Sequence, residues 1–338
     1  MTSKAKAKAK AKKTTKINDY DRVKSIIGIT EEELVKSDSP EKFIDRKALV
    51  FINEENNKQY PCGSFQTHTV SELRELVAGL EDQKTIECKF EVLEGIDIGA
   101  YRVNDKSMVQ VASNFNCLEV PSRSYNIKSG FFVDKLHMDS TQGPAASFGS
   151  LAGALYRAHF IPEVNLLKNV EQYLGESING KITLNGNEEL IQGDSLIDTI
   201  SDNVMAGIHT GLQVLYNRSG EVDKPYGINQ IFNASINLND YGKRTSMNNL
   251  IKIMRSTLRA TYESAILGAI ANKCEYLYLT LVGGGVFGNP LEIILDELGR
   301  SYNKWANCKK STLKCVYLCT YTKSETQKVN VILKKLIK

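Results

Sequence analysis

Long apolar runs, histidines and paired cysteines are all scarce in this 338-residue sequence. No stretch approaches the roughly 18 consecutive apolar residues of a transmembrane helix, and the basic N-terminus lacks the apolar segment of a secretory signal peptide. The four histidines are widely spaced and form no metal-ligand pattern. These absences argue against a membrane-spanning protein, a secreted protein and a histidine-based metal enzyme.

The seven cysteines form no C-x-x-C pair, and Cys315 and Cys319 have no His or Cys partner at a spacing typical of zinc sites. An odd number of cysteines in a long chain suits reduced thiols, so we expect a cytoplasmic protein. Each cysteine is expected to fill the core rather than to act as a nucleophile. We therefore expect neither a metal site nor a tightly bound cofactor.

Positive charge is concentrated at the N-terminus. Residues 1–16 contain seven of the 43 basic side chains and none of the 39 acidic ones, which leaves the rest of the chain slightly acidic. We predict a disordered basic tail over 1–18, an N-terminal extension over 19–84 and a main domain over 85–338. The tail could bind nucleic acid, an anionic membrane or a localisation receptor, or it could only aid solubility.

Strand patterns in the main domain alternate with helical ones. Alternating polarity predicts a strand in "TIECKFEVLEG" (85–95), and the apolar runs "YLYLTLV" (276–282) and "LKCVYLC" (313–319) predict central strands buried on both faces. Helical periodicity covers 248–273 and also the segment that begins at Pro290, whereas the C-terminus could form a helix or a strand. This alternation predicts an α/β sandwich.

The first segment that indicates chemistry is "VQVASNFNCLE" (109–119), in which a strand ends in Ser113, Asn114, Asn116 and Glu119. Ligands of open α/β sheets bind at the carboxyl ends of strands, and amides can bond sugar hydroxyls. In the alternative interpretation, the two asparagines form a turn by bonding their own backbone.

The second segment is "DSTQGPAA" (139–146), which leads directly into a predicted helix. Gly143 allows close approach of the backbone, and the helix N-terminus offers free N–H groups, which together suit a diphosphate. In the alternative interpretation, Asp139, Ser140 or Thr141 simply caps the helix and Pro144 occupies its first turn.

The third segment is "LVGGGVFGNP" (281–290), in which three glycines follow a buried strand. Glycines there lose packing area, and a loop that approaches a ligand explains their presence. Phe287 would then lie against an adenine or a ribose; alternatively, the loop is a flexible turn and Phe287 belongs to the core. The loop is neither a Walker A motif, which needs a following Lys-Ser/Thr, nor a G-x-G-x-x-G dinucleotide motif.

These segments resemble motifs of the macrodomain family, which binds ADP-ribose. "LTLVGGGVFGNP" resembles its second phosphate loop, and "MVQVASN" resembles its strand ending in N-A-A-N, with Asn114 at the last Asn and Val111 in place of the first. "VLEGIDIGAY" resembles its G-D-I turn, with Asp97 at the acid that recognises adenine. The family's glycine-rich first loop is absent, and we expect "DSTQGPAASFG" to take its place.

The resemblance implies a three-layer α/β/α sandwich with a mixed central sheet. It implies that Asp97 holds adenine, that Asn114 bonds the distal ribose, and that the backbones of 142–145 and 284–288 hold the diphosphate. The predicted ligand-binding residues are Asp97, Asn114, Asn116, Gln142, Gly143, Ala145, Gly284, Gly285, Val286, Phe287, Gly288 and Asn289.

The combination of "FNCLE", "DSTQGPA" and "GGGVFGN" also resembles a divergent macrodomain-like group that includes an effector-type hydrolase removing ADP-ribose from arginine. Hydrolysis of an ADP-ribosyl bond needs a carboxylate, for which Asp139 is the first candidate, Glu119 the second, and Glu292 and Asp296 follow. ADP-ribose would be the ligand or product, and an ADP-ribosylated protein the partner.

Two other functions stay open. One is a reader that binds ADP-ribosylated partners without cleaving them, and the other is a nucleic-acid-associated protein that uses the lysine tail. A nuclear location, or the cytosol of a host if the chain is a secreted effector, is open as well.

Overall fold

The computed structural model describes residues 20–94, 103–120, 122–129, 150–184, 193–217, 220–241 and 246–337. The predicted basic tail, 1–18, lies outside the described residues.

The described helices and strands alternate along much of the chain. The helices are α1 (Tyr20–Ile27), α2 (Glu31–Val35), α3 (Val70–Ala78), α4 (Leu151–His159), α5 (Glu171–Leu174), α6 (Asp194–Asn203), α7 (Leu238–Tyr241), α8 (Met247–Ala271), α9 (Leu291–Trp305) and α10 (Lys323–Leu336). The strands are β1 (Ile44–Asp45), β2 (Val50–Asn53), β3 (Lys58–Pro61), β4 (Ser64–Thr69), β5 (Lys89–Glu94), β6 (Ser107–Ala112), β7 (Ser177–Ile178), β8 (Lys181–Ile182), β9 (Met205–Asn217), β10 (Gly220–Asn233), β11 (Tyr276–Thr280) and β12 (Cys315–Thr320).

A seven-stranded mixed sheet forms the centre of the protein, in the order β4-β9-β10-β6-β11-β12-β5. Strands β10, β6, β11, β12 and β5 are parallel to their neighbours in this series, whereas β9 is antiparallel to both β4 and β10. The five parallel strands therefore end at the same edge of the sheet, which is where such sheets bind ligands.

Helices cover both faces of the sheet. Successive residues of a strand point to opposite faces, and in β9 the neighbours Ile208 and His209 contact different helices. A Cβ placed on Gly268 of α8 would contact the side chains of Ile208 and Ile231, whereas one placed on Gly153 of α4 would contact His209 and Leu212. Helix α8 thus packs on one face and α4 on the other, which confirms the predicted α/β/α layering.

The largest core lies between the sheet and α8. Small residues let this helix approach the strands closely: a Cβ on Gly268 would be 2.8 Å from Ile231 Cδ1. Helices α3, α6, α9 and α10 add buried side chains to the same cluster, among them Leu73, Ile200, Leu298 and Val329. None of the described helices has the length and apolar character that crossing a membrane requires.

Several predicted elements are confirmed. The apolar runs form β11 and β12, and the periodic segments form α8 and α9, with Pro290 at the N-cap of α9. The C-terminal segment, left open between helix and strand, is helix α10, and Thr322 caps it by accepting a hydrogen bond from Glu325 N–H.

The interval 19–84 has two structural parts. Its first part contains α1, α2 and the small antiparallel sheet β1-β2-β3, and its buried side chains, such as Ile26 and Phe51, pack with α4. Its second part, β4 and α3, belongs to the central sheet and the main core. The chain division at residue 84 stays a prediction.

Candidate functional site

A cleft of about 750 Å³ opens at the sheet edge where the parallel strands end. The residues that line it end or follow β6 and β11, follow β10 and β12, or lie in the β7–β8 hairpin. They are Ala112, Ser113, Glu119, Val120, Ser122, Arg123, Ser124, Lys181, Ser235, Asn237, Asp240, Thr280, Leu281, Val282, Gly283, Gly285, Val286, Phe287 and Tyr321. The cleft lies within the range of roughly 300–1,000 Å³ typical of small-molecule pockets. Its position and size make it the candidate site.

The loop after β6 is held in a compact turn by its two asparagines. Asn114 Nδ2 donates to the Val120 carbonyl oxygen at 3.1 Å, and Asn116 Oδ1 accepts from the Leu118 N–H at 3.2 Å. The Asn114 N–H also donates to the Leu118 carbonyl oxygen at 3.0 Å. Both asparagines are buried. The described geometry is thus the alternative in which the asparagines bond the backbone of their own loop.

This turn determines which predicted residues reach the cleft. Glu119, a predicted catalytic carboxylate, lines the cleft, as do Ala112 and Ser113. Asn114 and Asn116, predicted to bind the ligand, are not among the lining residues. Their role in ligand binding stays a prediction, and the contacts they make in the structure stabilise the wall that carries Glu119.

The glycine-rich loop after β11 turns sharply at two glycines. Gly283 and Gly288 have φ angles of +78° and +69°, in the left-handed region that favours glycine. A Cβ on Gly283 would lie 1.9 Å from Asn289 Nδ2. That buried amide donates to Ser235 Oγ at 2.7 Å and to the Ile236 carbonyl oxygen at 3.2 Å. Asn289 therefore ties the glycine loop to the segment after β10 and does not line the cleft.

The middle of the same loop is open. Gly284, Gly285 and Val286 are exposed, and a Cβ on Gly285 would have no atom within 4 Å. Gly285, Val286 and Phe287 line the cleft, whereas Gly284 and Gly288 do not. This loop therefore presents backbone, an exposed valine and one half-buried aromatic ring to a ligand.

Buried polar side chains beneath the loops connect the ends of β6, β10 and β11. Gln110 accepts a hydrogen bond from the Thr280 N–H at 3.2 Å and donates to Asn233 Oδ1 at 3.1 Å. The hydroxyl of Tyr262, from α8, donates to the Thr280 carbonyl oxygen at 3.0 Å and accepts from the Val282 N–H at 3.2 Å. A shift of one strand end would break such a bond and leave a buried polar group unpaired, which costs about 1–3 kcal/mol. These bonds therefore fix the relative positions of the three strand ends.

The short β7–β8 hairpin adds a wall that the sequence did not predict. Asn179 and Gly180 form its two-residue turn with φ angles of +49° and +72°, and positive values at both positions are what a type I′ turn requires. The Gly180 carbonyl oxygen accepts from the Phe115 N–H at 2.9 Å, and Asn179 Nδ2 donates to the Arg123 carbonyl oxygen at 2.6 Å. The turn is thus attached to two other segments of the site.

Lys181 and Arg123 bring positive charge to the cleft, and Glu119 and Asp240 bring negative charge. The Lys181 ammonium donates to Asn114 Oδ1 at 3.2 Å. Burial lowers the pKa of Lys181; the carboxylates of Glu119 and Asp240 act in the opposite direction, and Arg123 lowers it further. The described lining therefore combines two cations with two acids.

Sequence reasoning missed Arg123, Lys181, Asp240 and Tyr321. Tyr321 directly follows the buried strand β12 and is 41% exposed. Because ligands bind at the carboxyl ends of such strands, this position was an available signal for a site residue. The Asn-Gly pair before Lys181 was a signal for a hairpin turn. Asp240 lies in α7, shortly after β10, and no local pattern indicated Arg123.

Five predicted site residues fall outside the described residues: Asp97, Asp139, Gln142, Gly143 and Ala145. Their roles stay predictions. The further candidates Glu292 and Asp296 lie on α9 and are not among the residues that line the cleft. Asp296 instead accepts a hydrogen bond from Arg255 at 2.9 Å.

Cysteine is absent from the described residues that line the cleft. No three His, Cys, Asp or Glu side chains within the described residues are grouped as they would be around a metal ion. All seven cysteines are free, and burial raises the pKa of Cys117, in the loop after β6, to about 12. Because the thiolate is the reactive form, Cys117 is poorly suited to act as a nucleophile near neutral pH.

No protein-family model matches the chain, and no curated protein matches it. The structure is similar to a poly(ADP-ribose) glycohydrolase from Thermomonospora curvata, with a TM-score of 0.45 and 14% identity, over 90% of this chain and 98% of that one. It is also similar to a poly(ADP-ribose) glycohydrolase from Deinococcus radiodurans in its apo form, with a TM-score of 0.48 and 10% identity, over 81% of this chain and 94% of that one. The Deinococcus radiodurans protein in complex with ADP-ribose gives a TM-score of 0.48 and 12% identity, over 81% and 95%. At these TM-scores the similarities establish neither a family nor an activity for this chain.

Proposed function

We propose that this chain binds ADP-ribose in the cleft and hydrolyses an ADP-ribosyl bond on a modified target. One observation carries the proposal: two segments that resemble macrodomain motifs, far apart in sequence, border one cleft. Ser113 and Glu119 come from the first segment, and Gly283, Gly285 and Phe287 come from the second.

The chemistry of the lining supports this ligand. The open backbone at Gly285 suits a diphosphate, because phosphate oxygens bind to backbone N–H groups in glycine-rich loops. The rings of Phe287 and Tyr321 provide apolar surface for an adenine or a ribose. Ser235 and Asn237 offer donors and acceptors for sugar hydroxyls.

In the proposed reaction, the oxygen of a water molecule forms a bond to the anomeric carbon of the distal ribose. The bond from that carbon to the target atom breaks, its electron pair stays on the target atom, and that atom gains a proton. A carboxylate takes the proton from the water or supplies one to the leaving atom. Glu119 is the candidate for this role among the described residues, and Asp139, the first candidate from the sequence, lies outside them.

We further propose an arginine as the modified side chain. The support is the motif resemblance described above, together with the acids Glu119 and Asp240 in the cleft. A guanidinium forms strong, charge-assisted hydrogen bonds to carboxylates. Comparing hydrolysis of ADP-ribosyl-arginine, ADP-ribosyl-glutamate and ADP-ribosyl-serine peptides tests this point, and equal rates on all three would contradict it.

Calorimetric titration of ADP-ribose tests the binding step, with AMP and NAD as comparison ligands. Gly285→Glu should abolish binding without loss of stability, because the new side chain adds bulk and negative charge to the open part of the loop. Gly79→Glu is the matched control, since Gly79 lies at the exposed end of α3 and a Cβ there meets no atom closer than 3.6 Å. Absence of binding by the wild type at millimolar ADP-ribose would overturn the proposal.

Release of ADP-ribose from a modified protein tests the catalytic step. Glu119→Gln should reduce the rate at least about 100-fold while the affinity for ADP-ribose is retained, because the amide keeps the shape and loses the acid–base function. Asp139→Ala is assayed in parallel. If the wild type binds ADP-ribose but releases none from any modified target, the chain is a reader and the hydrolase part of the proposal is wrong.

A further inference from the structure

The β7–β8 hairpin packs closely against the loop after β6, which forms one wall of the cleft. Its Asn179-Gly180 turn uses positive φ angles at both positions, so the turn geometry is determined locally. Gly180 is packed so closely that a Cβ would lie 2.7 Å from both the backbone nitrogen and Oδ1 of Asn116. The hairpin tip therefore has one defined position against the loop after β6.

A second set of bonds holds the same hairpin to the segment after residue 121. Asn179 Nδ2 donates to the carbonyl oxygens of Arg123 and Tyr125 at 2.6 and 3.0 Å. Arg123 in turn donates to the Ile182 carbonyl oxygen. The hairpin thus contacts two stretches of chain that both contribute to the lining, and the residue after its turn, Lys181, lines the cleft.

The two walls of the cleft differ in charge. The glycine loop contributes Gly283, Gly285, Val286 and Phe287, none of which is ionisable. Among the described lining residues, the side-chain cations are Arg123 and Lys181, on the other wall. Any attraction between a charged side chain of the described lining and an anionic ligand must therefore come from the hairpin side.

We propose that Lys181, which the β7–β8 hairpin positions in the cleft, binds the phosphates of the ligand. This inference rests on the proposed function, since it assumes that ADP-ribose occupies the cleft. An ammonium has three donors and is a compact charge on a flexible chain. One donor reaches Asn114 Oδ1, and the other two have no hydrogen-bond acceptor among the described residues, so phosphate oxygens that approach from the cleft can bind them. Backbone donors of the glycine loop and the Lys181 ammonium would then contact the diphosphate from opposite sides.

The test compares ADP-ribose affinity at about 0.05 and 0.5 M salt for the wild type, Lys181→Met, Lys181→Arg and Lys168→Met, because salt screens charge interactions. Lys181→Met should bind about 10-fold or more weakly at low salt, and the difference should shrink at high salt. Lys181→Arg should keep most of the affinity because the charge is kept. Lys168 is exposed and does not line the cleft, so Lys168→Met should match the wild type and controls for net charge.

Two results would overturn this inference alone. One is a Lys181→Met affinity within about twofold of the wild type at low salt. The other is a loss of affinity that does not change with salt, which would mean that Lys181 acts only by supporting Asn114. If the wild type itself binds no ADP-ribose, the proposed function and this inference both fail.

Discussion

The loop after β6 and the loop after β11 follow adjacent parallel strands and border the same cleft, yet they are built in opposite ways. The first is buried, and the amides of Asn114 and Asn116 bond atoms of the loop itself. The second is exposed at Gly284, Gly285 and Val286, and a Cβ on Gly285 would meet no atom within 4 Å.

This difference shows that polar residues after a strand do not by themselves indicate ligand contacts. In the loop after β6, the amides hold the wall in shape and leave Glu119 as the ionisable group that reaches the cleft. In the glycine loop, the lack of side chains leaves room for a ligand. Substitutions in the first loop should therefore mainly affect stability, and those in the middle of the second loop should mainly affect affinity.

The largest effect on stability is expected at Gly283, which lies at the anchored start of the glycine loop and not in its open middle. Gly283→Ala should lower the free energy of unfolding by about 3 kcal/mol, since it combines a strained φ angle with a clash against Asn289. Urea denaturation measures this change. A variant as stable as the wild type would mean that Gly283 is as free as Gly285, and the division of the loop into an anchored and an open part would be wrong.

A smaller effect is expected in the loop after β6. Asn114→Ala should lower the free energy of unfolding by about 2 kcal/mol, because the Val120 carbonyl oxygen and the Lys181 ammonium both lose a buried partner. Asn116→Ala is the matched comparison and should lower the free energy of unfolding by about 1 kcal/mol or less. Asn116 Nδ2 is buried without a hydrogen-bond partner in the described part of the structure. Removing this unpaired group offsets part of the cost of losing the bond to the Leu118 N–H. If both variants keep full stability but lose ADP-ribose affinity, the asparagines bind the ligand directly.

The smallest effect on stability is expected at the open glycine. Gly285→Ala should change the free energy of unfolding by less than about 0.5 kcal/mol, because the added methyl group meets no atom within 4 Å. Its affinity for ADP-ribose should nevertheless fall, since the methyl group occupies space where the ligand approaches the backbone. Unchanged affinity alongside unchanged stability would remove the glycine loop from the binding site.

Sequence patterns predicted those strands and helices whose own residues carry the apolar pattern typical of the element. The apolar run of β11 and the helical repeat of α8 are examples, because both are buried over most of their length. Strand β4 was not predicted, since this edge strand is only partly buried and its polar residues, such as Gln66 and His68, show no alternation. A pattern based on burial cannot identify a strand that exposes much of its surface.

The site was predictable to the extent that it follows from strand ends. The glycine loop and Glu119 were identified because each lies in a segment that follows a buried strand, and both line the cleft. Lys181 and Arg123 reach the cleft from segments that no sequence motif connects with it. Their positions depend on tertiary contacts of the Asn179-Gly180 turn, which no local pattern reveals.

The position of β6 in the sheet also has a consequence for how the cleft assembles over time. Met108 pairs with Asn229 on one side and with Leu277 on the other, so the central strand acquires both neighbours from much later parts of the chain. Contacts between residues so distant in sequence form slowly, because a long loop must close first. During synthesis on the ribosome, the loop after β6 emerges well before β11, and the cleft can form only once nearly the whole chain has been made. Folding intermediates that lack β11 would therefore hold Glu119 and no glycine loop opposite it.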